Sequence, residues 1–372
     1  MRVFVIVFTL LLPACSNATT QWVPTQRSDP AASASRAPAP TVATYGFSYA
    51  SGPPATPWSW TVAVSPDGSV YYADGSYGLV RFRSGTFTVI GWGPKHFRTP
   101  KGAVRPNYSL VAFDREGRMY SAAYIDGQPA YLSGVNGRGA VTAHVLRLSK
   151  GVYSPNSMTF DRTGTRLLVG EGRGLEAFTD PDSRHGGNEV FDCSCSLRPV
   201  VDGVDGHIYA SDGVSIYVLS ESLRLVRAID LQRYESREYS YITSLAADPI
   251  AGVWFAVDNG SAIGHVLPNG RVHTYRPLLG SPVDRIATAA DGSIWVTAID
   301  EQSVGLVAED GTVTKYALPN VPPCGASCDS AFFRGSFQHK FAAHAVPDTL
   351  WYLTAQRLVT ISPSPLPPAP SG

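Results

Sequence analysis

Three acidic residues, Asp74, Glu171 and Asp212, each close a short apolar segment, "VYYAD", "LLVGE" and "IYASD". Carboxylates at matching ends of several such segments supply the oxygen ligands that Ca²⁺ or Mg²⁺ prefers. Asp258 and Asp300 stand at comparable places and could join them. The other reading is that each acid only keeps its segment end from pairing further. A second group is basic. "KHFRTPKGAVR" carries His96, Arg98 and Lys101, and "RYESREYSY" carries Arg233 and Arg237 among three tyrosines. Guanidinium and ammonium groups interleaved with aromatic rings suit an anionic or sugar-like ligand, through charge-assisted hydrogen bonds and stacking. A solvated polar loop is the structural alternative for each run. The histidines are scattered without ligand spacing, so zinc is unsupported. "GEGRG" at 170–174 lacks the lysine of a phosphate loop and reads as a turn.

These residues need elements to hold them, and composition says which kind. Of 372 residues, 35 are Gly and 29 are Pro, alongside many Tyr, Thr and Val. That mixture describes short strands joined by tight turns, and an all-β fold. Thirty basic and thirty acidic residues balance. No net field gathers phosphate or anionic lipid, so nucleic acid is not the expected partner.

A repeat orders the strands. "SPDGSVYYAD", "DREGRMYSAA", "DRTGTRLLVGE", "GVDGHIYASD", "DPIAGVWFAVD" and "AADGSIWVTAID" place turn glycines at 68, 117, 164, 206, 252 and 292. Their mean step of about 45 residues is the length of a four-stranded propeller blade. "HAVPDTLWYLTAQRLVTIS" makes a seventh unit that stops after three strands. Its missing strand is "TVATYGF" at 41–47, which resembles "TVTKYAL" at 312–318. The expected fold is a seven-bladed β-propeller of four-stranded blades over residues 43–361, closed by an N-terminal strand that completes the last blade. Closure of this kind removes two exposed sheet edges. The aromatics that start the second strands, Tyr71, Tyr120, Tyr209, Trp254, Trp295 and Trp351, are expected between blades. Asp67, Asp291 and Asp310 are assigned to turns rather than to a site.

Loops joining second to third strands, and one blade to the next, share one face of a propeller. Five long irregular stretches are assigned to that face. They begin at "WGPKHFRTPKGAVRPNY", "AYIDGQPAYLSGVNGRGAVTAH", "TDPDSRHGGNEVFDCSCS", "LQRYESREYSY" and "PNVPPCGASCDSAFFRGSFQHK".

The chain opens "MRVFVIVFTLLLPACSNATT", with an apolar run from Val3 to Leu12 too short to span a bilayer. Residues 1–14 read as an export signal. "LPAC" resembles the bacterial lipobox, which puts a diacylglycerol on Cys15 and anchors the chain at the cell envelope. Ser16 after it resembles the outer-membrane sorting pattern where the host has an outer membrane. An ordinary signal peptide with a chance cysteine is the alternative. Residues 15–42, rich in Ala, Ser, Thr and Pro, read as a disordered tether, and 362–372 as a disordered tail. Cys193, Cys195, Cys324 and Cys328 form an even set in an exported chain and are expected in disulfides. Cys324–Cys328 could close a small loop. A direct Cys193–Cys195 bridge is expected to be strained, so cross-pairing of the two loops stays open, as does a redox or metal role for "CSC".

The stretches "WFAVDNGSAIGHVLPNGRVHTYRP" and "IWVTAIDEQSVGLVAEDGTVTKYALP" resemble the streptogramin-lyase-like (virginiamycin B lyase) and NHL-type propellers, whose repeats run "DGxxWFTExxxxxIGRIxPDGxxxEY". The resemblance implies a seven-bladed propeller. It also implies a lyase that opens a cyclic depsipeptide by elimination, with a metal held partly by carboxylates and a histidine base. That chemistry needs an acid in the "WFTE" position of a late blade and a histidine soon after. Val257 and Ala298 stand there instead. No catalytic residue is carried over, and no cofactor is assigned beyond a Ca²⁺ or Mg²⁺ at Asp74, Glu171 and Asp212. The expectation is an exported, lipid-anchored monomer that binds or scaffolds a protein, peptide or glycan. The alternative is a metal-dependent lyase or hydrolase with a carboxylate site at the channel mouth.

Overall fold

The structure, a computed structural model, describes residues 40–46, 61–74, 78–91, 97–99, 102–125, 128–133, 142–145, 155–182, 188–231, 241–257, 262–275, 279, 283–289, 291–298, 302–318, 341–345, 348–353 and 357–362. The described segments are strands and tight turns, arranged in seven antiparallel sheets. In chain order, β1 (Thr41–Gly46) precedes the first complete blade. Blade one is β2 (Val62–Val64), β3 (Val70–Asp74), β4 (Gly78–Arg83) and β5 (Thr86–Gly91). Blade two is β6 (Phe97–Thr99), β7 (Gly102–Phe113), β8 (Met119–Ile125), β9 (Gln128–Ser133) and β10 (Thr142–Val145). Blade three is β11 (Ser157–Phe160), β12 (Arg166–Glu171), β13 (Gly174–Thr179) and β14 (Asn188–Asp192). Blade four is β15 (Val200–Asp202), β16 (His207–Ser211), β17 (Ser215–Ser220) and β18 (Leu225–Asp230). Blade five is β19 (Ile242–Ala247), β20 (Val253–Val257), β21 (Ala262–Val266) and β22 (Val272–Tyr275). Blade six is β23 (Val283–Thr288), β24 (Ile294–Ala298), β25 (Ser303–Val307) and β26 (Val313–Ala317). Blade seven is β27 (Phe341–Ala345), β28 (Asp348–Leu353) and β29 (Arg357–Ser362).

β1 completes blade seven. It runs antiparallel to β29 from Thr41↔Ser362 to Gly46↔Arg357. The strand therefore starts two residues earlier than the expected tether boundary. The ring closes because the first complete strands of neighbouring blades touch all the way round: β2 meets β7, β7 meets β11, and so on through β15, β19, β23 and β27 back to β2. Hydroxyls add cross-blade bonds on this inner layer. Thr243 Oγ1 donates to the Asp284 carbonyl at 2.8 Å, and Ser244 Oγ to that of Ile286 at 2.9 Å.

Each second-strand aromatic fills the seam to the next blade. Tyr71 lies 4.8 Å from Phe113, Tyr120 5.0 Å from Phe160, and Trp351 5.5 Å from Phe82. Tyr209, Trp254 and Trp295 each belong to a buried cluster shared with the following blade. A rigid ring buried in such a seam stabilises by on the order of 2–3 kcal/mol. The six turn glycines all have positive φ, between 68° and 96°. The need is clearest at Gly252 (φ 96°), where a Cβ would overlap the Val266 carbonyl. Asp67, Asp291 and Asp310 accept the backbone N–H two residues on, at 2.9, 2.8 and 2.8 Å, which is the turn role assigned to them.

Blade two departs from the pattern. Part of the expected loop "WGPKHFRTPKGAVRPNY" is a hairpin, with Phe97–Thr99 of β6 paired to Gly102–Val104 of β7 as a fifth strand. The bulge between Asn107 and Val111 lets β7 run past the body of the blade while its hydrogen bonding continues.

Candidate functional site

The strand bounds sort the irregular stretches by face. Connection 193–199, between blades three and four, lies on the expected face, while 232–240 and 319–340 lie outside the described residues. Two others are corrected. Residues 123–133 of "AYIDGQPAYLSGVNGRGAVTAH" are mostly strand, since β8 passes to β9 with only two residues between. The remainder up to β10, 134–141, lies outside the described residues. In "TDPDSRHGGNEVFDCSCS", Asp180–Asp182 follow β13 on the opposite face, 183–187 lie outside the described residues, and the cysteines follow β14 on the expected face. Alternating polarity inside these stretches was the strand signal.

Asp74, Glu171 and Asp212 do end second strands or follow them directly, on one face. Their chemistry differs. Glu171 is fully buried. Asp212 is used by its own turn: Oδ1 accepts Val214 N at 3.0 Å and Ser215 N at 2.8 Å, and Oδ2 accepts the Tyr217 hydroxyl at 2.9 Å. Burial, with this bond, pushes the Tyr217 phenol up to about 12. The Asp74 side chain, Asp258 and Asp300 lie outside the described residues. Among the described residues no group of three or more His, Cys, Asp or Glu side chains is placed to hold a metal ion. Of the basic candidates, Arg98 sits in β6 with its backbone alone described, and His96, Lys101, Arg233 and Arg237 lie outside the described residues. Cys15, Cys324 and Cys328 lie outside them as well.

Cys193 and Cys195 are bridged to each other, not cross-paired. Ser194, with a φ of 55° that is uncommon outside glycine, folds the three-residue loop so that the two Cα atoms stand 5.1 Å apart. Asp192 Oδ1 and the Arg173 carbonyl each accept Ser194 N at 3.0 Å and hold that turn. Both half-cystines pack on the seam cluster between blades three and four.

The bridge leads directly into a group that the sequence reading missed. Leu197 N donates to the Glu171 carbonyl at 3.1 Å, and Arg198 N to the Ser211 carbonyl at 2.6 Å, with Arg198–Pro199 in the cis form. Ser211 N returns a bond to the Pro199 carbonyl at 3.1 Å. Arg198 is thereby fixed at the entry to β15, the innermost strand of blade four. Its side chain reaches solvent, yet surrounding protein removes enough water to push its pKa below the ordinary arginine value. The guanidinium stays charged there. Asn156, at the entry to blade three, donates Nδ2 to Ser196 Oγ at 2.7 Å. On the other flank Tyr241, 53% exposed, lies against Gly213, where a Cβ would come within 2.9 Å of its ring. Ile242 N donates to the Gly213 carbonyl at 2.7 Å and pins that tyrosine in place. "SLRPVV" gave little notice of this in the sequence. Its one signal was an arginine with no acid within three residues.

The opposite face is occupied by its own partners. Arg118 pairs with Asp114, Glu116 and Asp182, and the Tyr120 hydroxyl donates to Asp182 at 3.0 Å across the seam between blades two and three. The Tyr209 hydroxyl donates to Asp205 at 2.6 Å, whose Oδ2 also accepts Gly252 N of blade five at 3.2 Å. Trp254 Nε1 donates to Asp248 at 2.8 Å, while His265 stacks on Trp254 at 4.3 Å with Nε2 3.1 Å from the same carboxylate. Burial lowers the His265 pKa, against the pull of Asp248. The Asp182 and Asp205 contacts join neighbouring blades, and the Trp254 cluster holds blade five together. Val257 and Ala298, at the lyase-type acid position, are buried apolar strand ends.

No family model matches the chain. A 79-residue stretch is 35% identical to virginiamycin B lyase of Nocardia farcinica; it covers 21% of this chain and 28% of that relative. The match thus spans little more than a quarter of the relative's length. Among solved structures, virginiamycin B lyase of Staphylococcus aureus superposes with a TM-score of 0.62 at 12% identity, over 87% of this chain and 99% of that one. A streptogramin B lyase gives 0.61 at 15% identity, over 87% and 97%. The extracellular domain of a protein described as a hybrid two-component system of B. thetaiotaomicron gives 0.59 at 15%, over 87% of this chain and 41% of that one. The chain is a streptogramin-lyase-like seven-bladed propeller in fold. At these identities the likeness is one of architecture.

Proposed function

We propose that the chain is an exported propeller, lipid-anchored at Cys15 of the bacterial envelope, that binds a protein, peptide or glycan on the face carrying the second-strand ends. The observation that carries this reading is the pair Val257 and Ala298. Elimination in the lyase manner needs a carboxylate at that place in a late blade, and here a buried methyl or isopropyl group stands there. A binding role needs only a rigid ring and an adaptable face. Seams filled by aromatics give the rigidity, and the loops between blades give the variety. The likeness to an extracellular domain supports an exposed, ligand-facing use of the same architecture.

The 79-residue match to a lyase favours the second reading, a metal-dependent lyase or hydrolase. Incubation with quinupristin, followed by chromatography for the ring-opened product, separates the two. The binding reading expects intact antibiotic and a melting temperature that EDTA leaves unchanged. Ring opening that EDTA abolishes would overturn it. For the anchor, Cys15→Ser is expected to move the chain from the membrane to the soluble fraction. Unchanged fractionation would remove the lipid from the account.

A further inference from the structure

We propose that the Cys193–Cys195 bridge is a thiol–disulfide exchange site that accepts two electrons from a dithiol. This goes beyond the binding reading and does not depend on it.

A disulfide stabilises a fold chiefly by closing a loop in the unfolded chain, and the gain shrinks with the loop. This one encloses a single residue, Ser194. Blade three has other means of holding the segment. Cys193 N and Ser194 N both donate to the Arg173 carbonyl at 3.0 Å, and Leu197 N donates to that of Glu171 at 3.1 Å. Arg198 N donates to the Ser211 carbonyl at 2.6 Å. These bonds use backbone atoms alone, so they persist when the S–S bond opens.

Closing the bridge has a local cost. Ser194 takes a φ of 55°, in the left-handed region that disfavours a side chain. Ser84 and Leu223 share that conformation, but they turn hairpins between paired strands. Ser194 lies in a connection between blades, where no strand pairing requires it. The site is also open to a reagent, since Ser194 is exposed and both half-cystines are partly exposed. Acceptors for the reduced form are already in place. Cys193 Sγ lies 3.4 Å from the Cys195 carbonyl oxygen and 3.7 Å from that of Arg173. A thiol formed there donates to them without rearrangement. An accessible bridge with a disfavoured backbone, whose reduced form is hydrogen-bonded, belongs with the exchangeable disulfides rather than the inert structural ones.

The exchange runs in two displacements. A substrate thiolate attacks the Cys195 sulfur, the S–S bond breaks, and its electron pair leaves on Cys193, which takes up a proton. The second substrate thiolate then attacks the substrate sulfur of the mixed disulfide, and Cys195 leaves and is protonated in turn. The dithiol is oxidised to a disulfide, and the bridge is reduced by two electrons and two protons. A small-molecule disulfide such as oxidised glutathione restores the bridge by the reverse exchange.

Equilibration of the full chain in glutathione buffers, followed by acid quenching, alkylation and peptide mass measurement, tests the site. The bridge is expected to be reduced while the circular dichroism stays native. Ser194→Gly adopts the same φ without the side-chain penalty and is expected to shift the equilibrium about five- to thirty-fold toward the disulfide. Dihydrolipoate and reduced ribonuclease A serve as dithiols. Stoichiometric oxidation of dihydrolipoate is expected, and oxidation of the ribonuclease as well would extend the substrate class to polypeptides. The double variant Cys193→Ser, Cys195→Ser keeps the other cysteines and is expected to oxidise neither. A bridge that stays closed until the chain unfolds, an equilibrium that Ser194→Gly leaves unchanged, or dithiol oxidation that persists in the double variant would overturn the proposal. If the double variant does not fold, the Ser194→Gly equilibrium still decides.

Discussion

Tyr45 is the residue on which ring closure can be measured. It lies in β1, faces Phe82 of blade one at 4.6 Å, and stands 6.4 Å from Trp351 of blade seven. One ring thus touches the first strand's own sheet and the next blade. Truncation of a fully buried aromatic costs about 3–5 kcal/mol, and half-burial reduces this to roughly 2–3 kcal/mol for Tyr45→Ala. An unfolding entropy of roughly 2.1 cal/mol/K per residue over the propeller comes to about 0.7 kcal/mol/K, so the melting temperature should fall by about 3–5 °C. Circular dichroism of wild type, Tyr45→Ala, Phe82→Ala and the double variant gives the magnitude and the coupling. A contact across the closure should appear as about 0.5–1.5 kcal/mol of coupling. A change under about 1 °C, with additive single effects, would refute the claim that β1 closes the ring.

Four further outcomes follow from the geometry. Burial lowers the folded-state pKa of His265, with Asp248 pulling the other way. The neutral ring therefore stabilises above the unfolded pKa near 6.5 and that contribution is lost as pH falls through the lower folded value. Melting temperature should drop between about pH 7 and pH 5, and His265→Phe, which keeps the stack on Trp254, should flatten that slope. For Asp205, burial alone would raise the pKa, but the Tyr209 and His207 hydrogen bonds lower it overall. Its contribution is full above the unfolded carboxylate value and disappears below about pH 4, so Asp205→Asn should lose stability at neutral pH and show a shallower acid limb. Reducing the Cys193–Cys195 bridge should cost about 1–2 kcal/mol, because the loop it closes is only three residues long, and thermal melts with and without reductant check it. Gly252→Ala should destabilise by more than about 1 kcal/mol, read from denaturant midpoints, since its φ is positive and the Val266 carbonyl leaves no room.

The ring could be read from the sequence because its determinants are local. Gly68, Gly117, Gly164, Gly206, Gly252 and Gly292 each answer a backbone demand at one position, and Trp254 or Trp295 answers a packing demand repeated every blade. Even the borrowed strand at 41–46 kept the lettering of its relatives. The face was harder to read. "AYIDGQPAYLS" looks like an insertion by its Gly and Pro, yet pairs as a regular hairpin, because Pro129 falls just beyond the span of β9 that β10 pairs. "CSCSLRPVV" looks like a plain connector, and its hydrogen bonds run to Arg173, Glu171 and Ser211, outside its own stretch. Asp212 shows the converse: an acid at a repeated site position proved to be the cap of its own turn. A side chain's partners decide such cases, and spacing alone does not contain them.

Chromatography of quinupristin after incubation with the chain tests the central claim most directly. The account predicts intact antibiotic with and without EDTA. Ring-opened product that EDTA abolishes would contradict it.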